Sequence, residues 1–449
     1  MKKFNLILLS TMMVVLMGLT HCATTEQNAG INPPLDGVDV AFNDFTIDPA
    51  TGGEYTLETG TKITVPANAF VNAKGEPITT PVELKYREFH DVVDIITSGI
   101  PMQFKSENGT ENFESAGMFE MKGLSAGEEV FIKEDKNITV DMGSFKDGEG
   151  YAFYYFDETT NEWKETGDAN VKPNLAKKAE KEKLTPLPIK PIEPTKASKG
   201  ASLINLDVNY KRYPELEAFS DVMWQYAGTD PAEDPGKNGW LRNSRWANIV
   251  LKNKEDNSGV YSLSMSTGDK TFETEVIPVM NGKNLEEAKA KFKKKEQEYN
   301  EVLAIREKEE ERLNNQADLL RTFEVNNFGI YNCDRFYNDP NVMTFNADFE
   351  FEERVLTSDM TIFLIPDKEP AVIQYHGDAA WGNFKLNVAK KNTIMAVLPG
   401  NKVAFCKPEI NRSELDKGDG GNSDFTFKMK TVETPVQNMN NLRDLLAQQ

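Results

Sequence analysis

Three cysteines and three histidines are thinly spread along this 449-residue chain. Beyond residue 21 the only imidazoles are His90 and His376. Two histidines so far apart leave little material for a zinc site or a histidine-based triad. A cysteine nucleophile would have only His376 as its base, and no oxyanion motif accompanies either. No catalytic residue, metal site or cofactor is therefore expected. Cys333 and Cys406 form an isolated pair, which in an oxidising compartment invites a disulfide. Closing that loop would stabilise the fold by roughly 4 kcal/mol in the chain-entropy view, and the rival reading is two buried free thiols. Trp240 and Trp246 could stack on a sugar ring, although large rings more often serve as core. The run from Asp416 to Asp424 has the oxygen richness of a calcium loop but lacks the glutamate that an EF-hand needs at its twelfth place, so it reads as a turn. His90-Asp91-Val92-Val93-Asp94 and Glu111–Ser115 gather acids without ligand spacing and read as solvated loop charge.

The N-terminus carries a different chemistry. Lys2 and Lys3 precede an apolar run that reaches Leu19. That run is short for a bilayer span, which takes about 20 apolar residues, and a basic start with a short apolar core reads as an export signal. It ends Gly18-Leu19-Thr20-His21-Cys22. This resembles the lipobox of bacterial lipoproteins, in which a Leu stands three residues before a Cys that is acylated and becomes the new N-terminus. His21 departs from the small residue the family prefers there. The resemblance implies a signal peptide at 1–21, lipidation of Cys22 and membrane attachment through acyl chains, each buried CH₂ contributing about 0.8 kcal/mol. Residues 22–37 read as a polar tether. No Asp follows Cys22, which points to the outer membrane.

Composition agrees with folded domains outside the cytoplasm. Hydrophobic residues make up 39% and aromatics 10% of the chain, enough for real cores. A net charge of −20 repels phosphates and excludes a nucleic-acid partner.

Residues 38–170 read as a β-sandwich. Val82–Phe89 alternates strictly, as a half-buried strand must. Shorter runs follow at 118–121, 129–133, 138–142 and 151–156. Gly52-Gly53 before a strand, Gly60 in a turn and the corner Val65-Pro66-Ala67-Asn68-Ala69 resemble the opening of a ZU5-type β domain. The resemblance implies a non-catalytic module for protein contacts.

Residues 171–200 are charged and then proline-rich, which reads as a semi-rigid spacer. Strands resume over 201–283. Asn284 should cap a long helix, 284–322, with Glu286 and Glu287 in its first turn. Strands return over 323–432, expected to be continuous with 201–283 and interrupted by the helix as a strut. Residues 433–449 read as a peripheral tail. The run from Pro214 through the helix to Gly329-Ile330-Tyr331-Asn332-Cys333-Asp334 resembles lipoproteins of Gram-negative envelopes that also carry the ZU5-like region.

The fold class expected is mainly β, with sandwich-like domains, a linker and one inserted long helix. The functional expectation is a lipid-anchored envelope protein with a non-catalytic interaction or structural role and an envelope protein or glycan as partner. The alternative is a carbohydrate-binding surface lipoprotein using Trp240 and Trp246. A third reading, a hydrolase with paired carboxylates, would need two acids about 5–10 Å apart across a cleft.

Overall fold

The computed structural model describes residues 30–106, 109–254, 259–268, 270–352, 360–411, 415 and 422–449. Cys22 with its apolar leader, and residues 416–421 of the Asp/Gly loop, lie outside them. The chain is mainly β with one long helix, as its patterning requires. It divides into two units. The first holds residues up to Tyr55, Ile63–Val171 and Arg321–Gln449, and the second holds Thr56–Lys62 and Lys172–Leu320.

In the first unit an antiparallel sheet runs in the order Asn43–Ile47, Val82–Phe89, Gly109–Ser125, Gly329–Phe336, Ala152–Asp157, Glu162–Asp168. Gln103–Ser106 and Glu128–Glu129 pair with the long strand Gly109–Ser125. A second sheet contains Thr361–Pro366, Asn392–Leu398, Lys402–Cys406 and Ser423–Val432 at its centre. Phe113 and Phe156 of the first sheet share a core with Phe363, Met395 and Phe405 of the second. Ile362, Leu364, Ile394 and Ala396 turn the other way, onto Phe345, Phe384 and Phe427. Both faces of the second sheet are thus covered. This explains why its strands read as unbroken apolar runs, whereas Val82–Phe89, with one wet face, alternates.

Here the expected domain division is corrected. Residues 323–432 do not continue 201–283. Gly329–Phe336 hydrogen-bonds to Gly109–Ser125 on one side and to Ala152–Asp157 on the other. Ile330 through Asp334 are all buried, so this is a central strand and needs a neighbour on each edge. Among the described residues the strands of 201–283 form a sheet of their own, in the order Leu203–Ile204, Met223–Tyr226, Lys270–Val279, Tyr261–Thr267, Asn248–Asn253.

Two glycines show why the turns fall where they do. Gly52 has φ +68°, and a Cβ there would lie 2.1 Å from the Val65 carbonyl oxygen. The Gly-Gly lead and the Val-Pro corner are therefore in contact, and only a residue without a side chain fits between them. Gly99 has φ +65° and ends the helix Val92–Ser98, where a Cβ would lie 2.1 Å from the Asn32 carbonyl carbon. The Asn32 amide donates to the Gly99 carbonyl at 3.0 Å, tying down the entering chain.

His90, Asp91 and Asp94 are not solvated loop charge. Asp91 caps the helix Val92–Ser98, and Asp94 returns the bond to the backbone, a reciprocal capping box. His90 is largely buried, and its Nε2 lies 3.0 Å from Glu88. Nor is the C-terminal segment merely peripheral. The helix Met439–Ala447 buries Leu442 in the first unit's core, and Arg443 pairs with Asp91 and Asp94.

In the second unit the long helix spans Leu285–Asn314, shorter than expected. Leu319–Val325 is a strand, because Leu320, Thr322 and Glu324 alternate with the buried Arg321, Phe323 and Val325. Asn284 precedes the helix in the left-handed region, φ +58°, and makes no side-chain cap bond. Only Ala288 and Leu313 of the helix are buried. The proline-rich stretch is not a free spacer. The Ile192 amide donates to Glu215, and residues 195–197 exchange backbone hydrogen bonds with Met280. Proline removes internal donors, so the donors that remain are used to dock the segment. Among the described residues no helix is long and apolar enough to cross a membrane.

Candidate functional site

The residues singled out in sequence separate into structural and surface groups. Cys333 and Cys406 are both free thiols, so the expected disulfide is corrected. Cys333 lies on the central strand Gly329–Phe336, where burial pushes its pKa up to about 12. Cys406 sits on a strand of the other sheet, its side chain against the phenylalanine core around Phe345 and Phe427. Side chains directed into different cores cannot meet at bonding distance.

Three buried acids of the first unit are held by hydrogen-bond or ion-pair partners. Glu88 accepts from Tyr86 at 2.9 Å, and Glu120 pairs with Arg87 at 2.6 Å and with Lys122 at 2.6 Å. Asp339 accepts two bonds from Asn387, at 2.9 and 2.8 Å, and pairs with Lys390 at 2.9 Å. Burial opposes the charge of Asp339, but these partners outweigh it and lower its pKa. A carboxylate so held is a poor proton donor.

Trp240 and Trp246 are brought together in the second unit. The segment carrying them is folded by its own aspartates: Asp230 and Asp234 each accept a backbone N–H two residues on, both at 2.8 Å. Asn238 donates back to the Ala232 carbonyl at 2.7 Å. A short 3-10 turn, Gly239–Asn243, then presents Trp240. The two indole centroids are 5.7 Å apart with planes tilted by 52°. Phe272 backs Trp240 edge-on at 6.3 Å, and the Lys270 ammonium sits 5.7 Å from its ring. Trp224, by contrast, is fully buried and packs on Tyr261 as core.

Beside Trp246 lies a cavity of about 670 Å³, walled by Leu203, Leu241, Ile249 and Met265 with Arg242 among its lining. Its rim is unusually apolar. Leu203 and Ile249 of its lining are 44% and 45% exposed, and Trp240, next to Trp246, is 36% exposed. Ile249 belongs to Asn248–Asn253, an edge strand that among the described residues pairs on one side only. Contiguous exposed apolar groups on a free edge mark a contact surface. Arg242 and Arg245 are exposed and have no ion pair among the described residues, a local excess of positive charge on an acidic chain.

Sequence reasoning found the two tryptophans and the strand at Asn248–Lys252 but missed Arg242 and that strand's place at a sheet edge. Arg242 stands two residues after Trp240, yet without the turn nothing shows that it lines a cavity. The apolar run Ile249-Val250-Leu251 reads equally as a core strand or an exposed edge. No protein-family model, no curated protein and no solved structure matches this chain.

Proposed function

We propose that the chain is a lipid-anchored protein of the cell envelope, held to the outer membrane through Cys22, that acts by binding and not by catalysis. The observation that supports this best is the tryptophan-flanked cavity with its exposed apolar edge and unpaired Arg242. Such a surface is costly to leave in water unless something covers it in use. The anchor rests on the residues Gly18 to Cys22. Its test is the intact mass of the mature N-terminus from membrane fractions. Acylated Cys22 is expected in the parent, and Cys22→Ser should release the protein into the soluble fraction. An unmodified terminus, or a Cys22→Ser variant still membrane-bound, would sink the anchor.

A glycan as the partner is the second reading, favoured by the indole pair. Two rings tilted by 52° can contact two faces of an oligosaccharide, and Arg242 supplies hydrogen-bond donors beside them. An oligosaccharide array should then show binding that weakens at least tenfold in Trp240→Ala and in Trp246→Ala. Retained binding in both variants would leave a protein contact as the role of this surface.

A further inference from the structure

A second cavity lies wholly within the first unit, apart from the tryptophan surface, and its lining has a distinct chemistry. It measures about 650 Å³ and is walled by the strands Gln103–Ser106, Gly109–Ser125, Thr361–Pro366 and Ile373–His376, with Gly30 and Asn32 also among its lining. The volume suits a small ligand.

Its polar groups are held in place. Gln103 Nε2 donates to Asn112 Oδ1 and to the Gln374 carbonyl, both at 3.3 Å. Locking these amides together leaves Gln103 Oε1, an acceptor, and Asn112 Nδ2, a donor, without protein partners among the described residues. Thr361 Oγ1 lies 2.7 Å from His376 Nδ1 and leaves His376 Nε2 open. The Tyr375 hydroxyl donates to the Lys385 carbonyl at 3.2 Å and accepts from the Lys385 amide at 3.0 Å. That hydroxyl is used up, so Tyr375 contributes a ring face, backed by Phe384 at 4.5 Å.

Adjacent donors and acceptors beside a fixed aromatic face match a polyhydroxylated ring, in which each hydroxyl both gives and takes a hydrogen bond. The charge is one-sided. Lys385 has no ion pair among the described residues, and no carboxylate lines this cavity. With one ammonium and no arginine fork, the cavity is equipped for a single negative charge.

We infer that this cavity binds an acidic sugar, a pyranose unit carrying one carboxylate, with the Gln103–Asn112 amide pair taking ring hydroxyls and Lys385 the carboxylate. The site is separate from the tryptophan surface and does not depend on it.

The test is isothermal titration of the full-length chain in detergent with D-glucuronate, D-glucose and acetate. Glucuronate is expected to bind at least tenfold more tightly than either of the others, since only it offers both hydroxyls and charge. Lys385→Gln should reduce its affinity to that of glucose, Gln103→Ala should weaken both sugars, and Trp240→Ala should change neither. Lys385 is exposed, so its substitution leaves the fold intact. No glucuronate binding, equal affinity for acetate, or an unaffected Lys385→Gln variant would overturn the inference. Oligoglucuronate and vesicles bearing a glucuronosyl lipid then identify the source. Binding to either, lost in Lys385→Gln, supports the site and names a soluble glycan or a membrane glycolipid respectively.

Discussion

Arg321→Ala is expected to lower the unfolding free energy of the first unit by about 2–5 kcal/mol, the range for truncating a large buried side chain to alanine. Arg321 is fully buried, on the strand Leu319–Val325. Its Nε donates to Ser144 Oγ at 3.1 Å and its Nη2 to the Lys146 carbonyl at 3.2 Å. The guanidinium carbon lies 4.6 Å from the centre of the Tyr151 ring. No carboxylate pairs with it among the described residues, so the ring face and these oxygens carry its charge. Truncation removes that packing and both guanidinium hydrogen bonds, while the Lys146 carbonyl keeps its bond from Ser144 Oγ at 3.1 Å. Arg321→Met, which refills the volume without a charge, should recover more than half of the loss. Arg335 is the control. It lies 4.8 Å from the same ring but pairs with Glu114 at 2.7 Å and is partly exposed, so Arg335→Ala should cost about 1 kcal/mol. Urea unfolding followed by near-ultraviolet circular dichroism reads all three. Equal losses for Arg321→Ala and Arg335→Ala would show that burial of the first guanidinium carries no special weight.

Asp334→Asn should have the opposite sign and stabilise the protein at neutral pH, by about 1.4 kcal/mol for each pKa unit by which burial raises the carboxyl, because the amide stays neutral in the core without a proton. Asp334 is wholly buried, and its Oδ1 has no hydrogen-bond partner among the described residues. Asn332 Nδ2 donates to its other oxygen, and Asn332 is in turn held by Ser115 Oγ at 3.0 Å. Burial pushes the Asp334 carboxyl well above the usual carboxylate range. The nearby charge of Glu114 adds to that rise, and the bonds from Ser115 and Asn332 oppose it without reversing it. The folded state therefore keeps a proton that the unfolded chain has already released. The stability that depends on this proton is complete below the ordinary carboxylate range and is lost as pH rises toward the folded value. Parent and variant should be close in stability near pH 4 and diverge upward from there, with the variant's profile the flatter. A parallel pair of profiles would show that Asp334 does not titrate differently in the two states.

Both residues also show where reading the chain reaches its limit. Arg321 stands among Leu319, Leu320, Thr322 and Phe323, and nothing local distinguishes a buried guanidinium from one at the end of a helix. Extending the helix to residue 321 was reasonable on charge pattern alone. The chain instead turns into a strand whose partners come from residues far away in sequence. Cys333 and Cys406 failed as a disulfide for a related reason, since spacing cannot say into which core each strand directs its odd or even side chains. The capping box at Asp91 and Asp94 was legible, because its two aspartates three residues apart precede an apolar run, but it was taken for loop charge. The polar cavity was not legible at all. Gln103 and Asn112 sit on one hairpin, Gln374 and Lys385 more than 250 residues further on, and no pattern links the two regions.

What the sequence determined by itself is local: the mainly β class, many of the longer strands from Val82–Phe89 to Lys402–Cys406, the long helix, and the glycine and proline corners. These follow from side-chain period and from backbone angles that few residues tolerate. Tertiary structure alone decided that Gly329–Phe336 completes the first unit's sheet, that the proline stretch docks on the second unit, and which polar side chains meet in a cavity. A strand's pattern states which face it must bury but not against which partner. That choice is made by complementarity between segments hundreds of residues apart, which no local pattern encodes.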